Sequence, residues 1–139
     1  MIAFRPATID DIAAVLTFWA EATAEPSSTD DTDGLAGLLA QSPGALILAV
    51  DDGTIVGSVI AGWDGWRGTL YRLAVAPTHR RRGIATALVD EAEQHLRQHG
   101  VRRMHLIVGL AGGNAAIEFW RSARYEPTDQ LRMVKNLPG

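Results

Sequence analysis

The chain has 139 residues, enough for one domain with a real core, and 47% hydrophobic against 21% charged residues mark an ordered globular protein. A formal net charge of −3 gives no overall attraction to nucleic acid or anionic membrane, so neither is expected as a partner and any anion site must be local. Without cysteine there are no disulfides, thiolate metal sites or cysteine nucleophile; no metal, signal peptide or membrane span of ~20 apolar residues is expected, and a cytoplasmic location is the default.

Residues 2–5 read as a short first strand ended by Pro6. Thr8 followed by Asp11 has the form of a capping box, which satisfies free backbone N–H groups at a helix start. The helix it opens carries Ile12, Val15, Leu16 and Trp19 on one face. Residues 25–33 are polar and read as a loop; residues 34–41 read as a second short helix with Leu35, Leu38 and Leu39 inward. From Ala45 the period changes: an apolar run over 45–50, the turn signal Asp51-Asp52-Gly53 and a β-branched run over 54–61 make a hairpin. Residues 63–68 form a second turn into a strand over 69–75, closed by Pro77. The longest helix is expected over 83–99, with Ile84, Leu88, Ala92 and Leu96 every fourth residue and Gly100 at the left-handed terminal position. A strand over 104–108, a loop over 109–113, a helix over 114–123 and a last strand over 132–137 complete the chain. The order β-α-α-β-β-β-α-β-α-β, with no repeat or linker, predicts one mixed α/β domain over residues 1–139.

The most informative segment joins the strand over 69–75 to the longest helix: Val75-Ala76-Pro77-Thr78-His79-Arg80-Arg81-Arg82-Gly83-Ile84-Ala85-Thr86. A helix start leaves several N–H groups unpaired and carries about half a positive charge. Small residues at Gly83 and Ala85 let an oxyanion approach the backbone, and guanidinium groups beside it add attraction and forked hydrogen bonds. That combination suits a pyrophosphate. Taken alone, the basic triplet favours a solvated charge run, with Gly83 as a turn residue. The dinucleotide fingerprint and the Gly-Lys-Ser/Thr nucleotide loop are both absent, and no second basic cluster supports a nucleic-acid surface.

Arg80-Arg81-Arg82-Gly83-Ile84-Ala85 resembles the Arg/Gln-x-x-Gly-x-Gly/Ala signature of the GNAT superfamily of acyl-CoA N-acyltransferases. Leu73-Ala74-Val75-Ala76-Pro77 is similar to that family's central strand, and residues 114–125 resemble its later helix. The resemblance in element order covers nearly the whole chain, and in motif about residues 70–125. It implies a mixed, mostly antiparallel twisted sheet flanked by about four helices. It implies acetyl-CoA as co-substrate and an amine acceptor, with direct attack on the thioester. Main-chain groups of Leu73, Ala74 and Val75 would pair with the pantetheine arm, and Arg80, Arg81, Arg82, Gly83, Ile84, Ala85 and Thr86 would hold the pyrophosphate. The strands over 69–75 and 104–108 would splay to admit the cofactor.

Asn114 reads as a helix cap, and the resemblance adds a hydrogen bond from it to the cofactor arm. Many relatives carry a tyrosine after Phe119 that protonates the departing thiolate. Here Trp120 stands in that place, and an indole only donates hydrogen bonds without releasing its proton. Trp120 can still wall the site and orient the sulfur, or simply be core. Relatives often place a base on the central strand, where Thr69 and Tyr71 stand here; Glu21, Glu25, Asp64 and His105 are the other candidates. Tyr71, Trp120 and Glu21 are the residues assigned to the chemistry. Acidic and aromatic residues of the first helices and the hairpin end (Trp19, Glu21, Glu25, Asp30, Asp31, Asp33, Trp63, Asp64, Trp66) lean toward a cationic amine. A homodimer is compatible with the sequence. The competing expectation is a CoA-binding module that has lost catalysis and acts as a sensor or interaction protein, motivated by Trp120 and the missing base.

Overall fold

The computed structural model describes residues 1–22, 27–109 and 114–138. Glu25 and residues 110–113 of the expected loop lie outside the described residues. The chain divides into two compact units, Met1–Ile107 and Val108–Gly139.

The first unit is built on a five-stranded sheet in the order β1 (Ile2–Pro6), β2 (Leu46–Asp51), β3 (Thr54–Trp63), β4 (Gly68–Val75) and β5 (Met104–Leu106). β1 to β4 are antiparallel neighbours and β5 joins β4 in parallel, the mixed, mostly antiparallel sheet expected. Antiparallel neighbours need only tight turns. Asp52-Gly53 closes β2 to β3 with φ of 49° and 82°, the left-handed pair that a two-residue hairpin turn requires. A parallel step needs a crossover, and α3 (Ile84–Gln98) supplies it.

α1 (Ile12–Ala22) is entered through a single 3-10 turn, Ile9–Asp11. Asp11 fixes that entry: its Oδ2 accepts from the Thr8 N–H at 2.7 Å, and its two oxygens accept from the Arg5 guanidinium at 2.8 Å each. Asp31 caps α2 (Thr32–Gln41) by accepting from the Gly34 N–H at 2.7 Å.

Side chains alternate across the strands. One face brings Leu46, Leu48, Ile60 and Ala74 against Val15, Phe18 and Trp19 of α1 and Leu35 of α2 in a single buried cluster. The other face carries α3, whose Ile84, Leu88, Val89, Ala92 and Leu96 are buried. Burial of one such leucine contributes about 1.5–3 kcal/mol. Gly57 of β3 seats the start of α3, since a Cβ there would lie 2.9 Å from Leu88 Cδ1 and 3.2 Å from both Ile84 Cγ2 and Ala49 Cβ.

The second unit contains α4 (Asn114–Ser122), closed by a turn in which the Tyr125 N–H donates to the Trp120 carbonyl at 2.9 Å. The strand expected over residues 132–137 is not formed: the described residues 126–138 hold no strand and are exposed. A strand needs a partner for its N–H and C=O groups, and the described residues of this unit contain no other strand. The strand expected over 104–108 likewise ends at Leu106. Among the described residues no helix is long and apolar enough to cross a membrane.

Candidate functional site

The connection from β4 to α3 is anchored before it turns. It opens with a 3-10 turn, Pro77–His79, whose histidine is held through both ring nitrogens: Nδ1 with Thr78 Oγ1 and Nε2 with Asp51 Oδ2, each at 2.8 Å. The His79 hydrogen bond, and after it the N-terminal ammonium, hold the Asp51 carboxyl below the usual carboxylate range. Arg81 and Gly83 then both take left-handed φ, 65° and 76°, and turn the chain into α3. Gly83 is the cap residue, and the space a Cβ would occupy there is open. The first helical bond runs from the Ala87 N–H to the Gly83 carbonyl at 3.0 Å, so the amides of Gly83, Ile84, Ala85 and Thr86 precede the ladder. The first turn contains no acidic residue, and Arg80, Arg81 and Arg82 are exposed beside it. This is a receptive site for an oxyanion.

β4 and β5 pair only at Gly68↔Met104, Thr69↔His105 and Leu70↔Leu106. Leu73, Ala74 and Val75 run past the end of β5, and no strand lies beside that edge among the described residues. Within this open stretch β4 is bulged. Ser58 pairs with Ala74 and Ile60 with Tyr71, so Arg72 and Leu73 together face Val59, and Arg72 adopts a left-handed φ of 53°.

A buried hydrogen-bond chain holds the bulge. The Trp19 indole N–H donates to Ser58 Oγ at 2.9 Å, and the Ser58 hydroxyl donates to the Arg72 carbonyl at 2.8 Å. Ser58 is wholly buried, with 0% of its surface exposed. From outside, the Arg72 guanidinium forms an ion pair with Asp30, just ahead of α2, and lies 5.6 Å from the centre of the Trp19 ring. Three elements therefore meet at one main-chain distortion.

The residues expected at the site fall into three groups. Leu73, Ala74, Val75, Tyr71 and the segment from Arg80 to Thr86 lie along β4 and its exit, with Tyr71 half exposed and its ring over Gly62. Glu21 is exposed in the last turn of α1, two residues and thus about 200° around the helix from the buried Trp19; it is turned away from the sheet. Asn114 and Trp120 belong to the second unit. Asn114 is the first residue of α4, and Trp120 is edge-on to Phe119 at 5.1 Å and to Tyr125 at 5.3 Å, in a half-buried aromatic cluster.

Several acidic and aromatic residues expected around the acceptor have structural work instead. Asp30 pairs with Arg72 and Asp31 caps α2. Asp64 accepts from the Trp66 and Arg67 N–H groups at 2.8 and 2.7 Å, and these bonds, that from Arg67 first, hold its carboxyl below the usual range. Trp63 stacks on His99 at 4.4 Å, and Trp19 is core. Trp66 stays 70% exposed with the Arg67 guanidinium 3.9 Å above its ring. A separate hollow, bordered by Phe4, Gly44, Ile47, Glu91 and His95, follows the later turns of α3, away from its open start.

Three features escaped the sequence reading: Ser58, the Asp30–Arg72 pair, and a contact of 2.9 Å between Thr69 Oγ1 and His105 Nε2. Ser58 did leave a signal, because a polar residue inside the apolar run over 54–61 needs a partner when buried.

The architecture recurs in solved structures. Ard1 from Thermoplasma volcanium superposes with a TM-score of 0.80 at 20% identity, over 91% of this chain and 84% of that one. A predicted acetyltransferase from Clostridium acetobutylicum, solved with acetyl-CoA, gives 0.74 at 17% identity over 97% and 96%. The fold is that of the GNAT acetyltransferases. The sequence profile of the acetyltransferase (GNAT) family matches residues 10–124, and an acetyltransferase of Pectobacterium atrosepticum is 35% identical over 128 residues, 92% of this chain and 90% of that protein. The chain belongs to the GNAT acetyltransferase family.

Proposed function

We propose that the chain moves an acetyl group from acetyl-CoA to a primary amine of a small molecule or peptide, by direct attack of the amine on the thioester. The observation that carries this reading is one continuous path: the open edge of β4 at Leu73, Ala74 and Val75 leads through the basic turn to the free amides of α3. The residues present fit the cofactor. Gly83 offers open space and a left-handed turn, four amides precede the first helical bond, and three exposed arginines flank them. The pyrophosphate belongs at Gly83, Ile84, Ala85 and Thr86, with Arg80, Arg81 and Arg82 adding charge. The extended pantetheine arm belongs along Leu73, Ala74 and Val75 as an added strand. Because the profile of the family runs through both compact units, we assign them to one acetyltransferase domain and Asn114 to the cofactor arm.

Acetyl-CoA supplies the activated acyl group. The protein supplies position and a dipole: at the bulge the β3–β4 ladder is interrupted, and the Leu73 N–H is the donor we assign to the thioester carbonyl. Tyr71, immediately before the bulge and half exposed, is the residue we assign to the path of the amine. Trp120 contributes a wall and no proton, since its N–H does not ionise. A thiol of ordinary pKa ~8.5 leaves as thiolate near neutral pH and recovers its proton from water or from the departing ammonium.

The test has two stages. Calorimetry should show CoA binding that Arg81→Glu combined with Gly83→Asp weakens by at least ~10-fold, the loss of one charge-assisted contact; unchanged affinity rejects the loop. Thiol release from acetyl-CoA is then measured with spermidine, kanamycin and a short peptide bearing a free amino terminus. Binding without turnover on any amine favours the sensor module that Trp120 makes the second reading, and the ranking of the three amines tests the lean to a cationic acceptor.

A further inference from the structure

The proposed reaction needs a place for the proton of the attacking ammonium, and neither Tyr71, Trp120 nor Glu21 provides a convincing one. On that reading, we propose that Thr69 and His105 form a two-residue proton relay on the acceptor side of the thioester. Thr69 takes the proton from the amine while passing its own to His105.

Four observations carry the assignment. Thr69 Oγ1 and His105 Nε2 are 2.9 Å apart, a full hydrogen bond between neighbouring strands. Thr69 and His105 are direct partners in the β4–β5 pairing, one residue before the last pair, Leu70↔Leu106. The relay thus stands at the apex where β5 ends and β4 continues alone to the bulge. Third, Thr69 pairs with Gly62 and Tyr71 with Ile60 across β3, and Ile60 lies in the core cluster of α1 and α2. Thr69, His105 and Tyr71 therefore share one sheet face, opposite to α3, with Thr69 about 6.7 Å along the strand from Tyr71. Fourth, Thr69 is half-buried while the His105 ring is exposed, so a proton received there can pass to solvent. Among the described residues this face also carries Tyr71, the Arg72–Asp30 pair and, toward β1, the Arg5–Asp11 pair, and both carboxylate oxygens of Asp30 are engaged with the guanidinium.

The step balances without a further reagent. The ammonium N–H bond breaks as a new O–H bond forms at Thr69 Oγ1. The original Thr69 O–H bond breaks as an N–H bond forms at His105 Nε2. The freed nitrogen lone pair then forms the C–N bond, the C–S bond breaks with its electron pair leaving on the thiolate, and the second N–H proton of the acylated nitrogen passes to that thiolate, giving a neutral amide and the free thiol. The relay requires the tautomer of His105 that carries its proton on Nδ1. Thr69 is the group that touches substrate; His105 acts through it and holds the hydroxyl in line.

The experiment uses the full chain with acetyl-CoA and whichever of spermidine, kanamycin or the peptide is turned over fastest. His105→Gln keeps a hydrogen-bond partner for Thr69 but cannot accept the proton. It should lower kcat about 100-fold, the smaller end of the range for general base catalysis, with CoA affinity and Tm unchanged. The acid limb of the parent kcat/KM profile should disappear in this variant. Thr69→Val should lose turnover similarly, and Thr69→Ser, which restores the hydroxyl, should recover most of it. Should both His105→Gln and Thr69→Val turn over within threefold of the parent, with the acid limb intact, the relay is wrong while the acetyltransferase reading stands. A parent that binds CoA yet acetylates none of the three amines overturns both.

Discussion

Ser58→Ala is the substitution that separates a packed strand from a held bulge. In the parent, Ser58 Oγ is fully buried, accepts from the Trp19 indole N–H at 2.9 Å and donates to the Arg72 carbonyl at 2.8 Å. Alanine fills nearly the same space, so there is almost no cavity contribution. The indole N–H loses its acceptor inside the core, which costs about 1–3 kcal/mol, and the Arg72 carbonyl loses one donor, worth about 0.5–1.5 kcal/mol. The expected destabilisation is therefore about 2–4 kcal/mol, large for the removal of one oxygen atom. Urea unfolding followed by tryptophan fluorescence measures it as a fall in midpoint at constant m. Trp19→Phe supplies the control, because it keeps most of the ring and removes the donor. In that background Ser58→Ala forfeits only the Arg72 contact, so the double-mutant cycle should give a coupling of about 1–3 kcal/mol. Turnover should fall further than CoA affinity, since the bulge sits at the assigned thioester position and not at the pyrophosphate. A cost below about 0.5 kcal/mol with no coupling would refute the claim that this chain of bonds holds the bulge.

Two further outcomes follow from local geometry. Gly57→Ala places a Cβ 2.9 Å from Leu88 Cδ1 and 3.2 Å from Ile84 Cγ2 and Ala49 Cβ; it should destabilise by about 1–3 kcal/mol in urea and weaken CoA binding, because the start of α3 must lift from the sheet. Asp11 has its carboxyl held far below the usual range, first by the Arg5 hydrogen bond and further by the Thr8 N–H. A depressed carboxyl adds stability that is complete above the unfolded value of about 3.9 and disappears as pH falls through the folded value. Asp11→Asn should therefore be less stable than the parent at pH 7, by about 1 kcal/mol as for other helix-entry caps, with the gap closing below about pH 4 when midpoints are compared across pH.

What was legible in the sequence was local. The start of α3 could be read because Gly83, the basic triplet and the small residues after it lie within one stretch, and the amides they expose belong to that same turn. The Asp52-Gly53 turn and the Thr8–Asp11 helix entry were readable for the same reason: each partner lies within three residues of the other. The bulge was not, because it is a mismatch between two strands: Arg72 and Leu73 oppose Val59 only once β3 and β4 are in register. Nor were its supports, since 39 positions separate Trp19 from Ser58 and 42 separate Asp30 from Arg72. The expected strand over 132–137 failed for the converse reason. Its residues suit a strand, but β structure depends on a partner edge, which a sequence period does not provide.

The same distinction separates the cofactor half of the site, legible in one segment, from the acceptor half, which depends on strand register. A pyrophosphate is recognised by backbone amides at a helix start, which any sequence that turns in this way presents. The chemistry at the thioester instead depends on which side chains the sheet brings across to β4. In this chain several acidic residues carry structural partners: Asp11 with Arg5, Asp30 with Arg72, Asp31 at the start of α2, and Asp64 in its own hairpin. The proton transfer proposed above uses instead a neutral group that strand pairing delivers to β4. The Thr69–His105 contact, formed between residues 36 positions apart, is the group we propose for it, and Thr69 sits on the strand whose bulge includes Leu73. The proposed binding determinants thus lie in one segment of the sequence, whereas the proposed catalytic ones are brought together by the register of β3, β4 and β5.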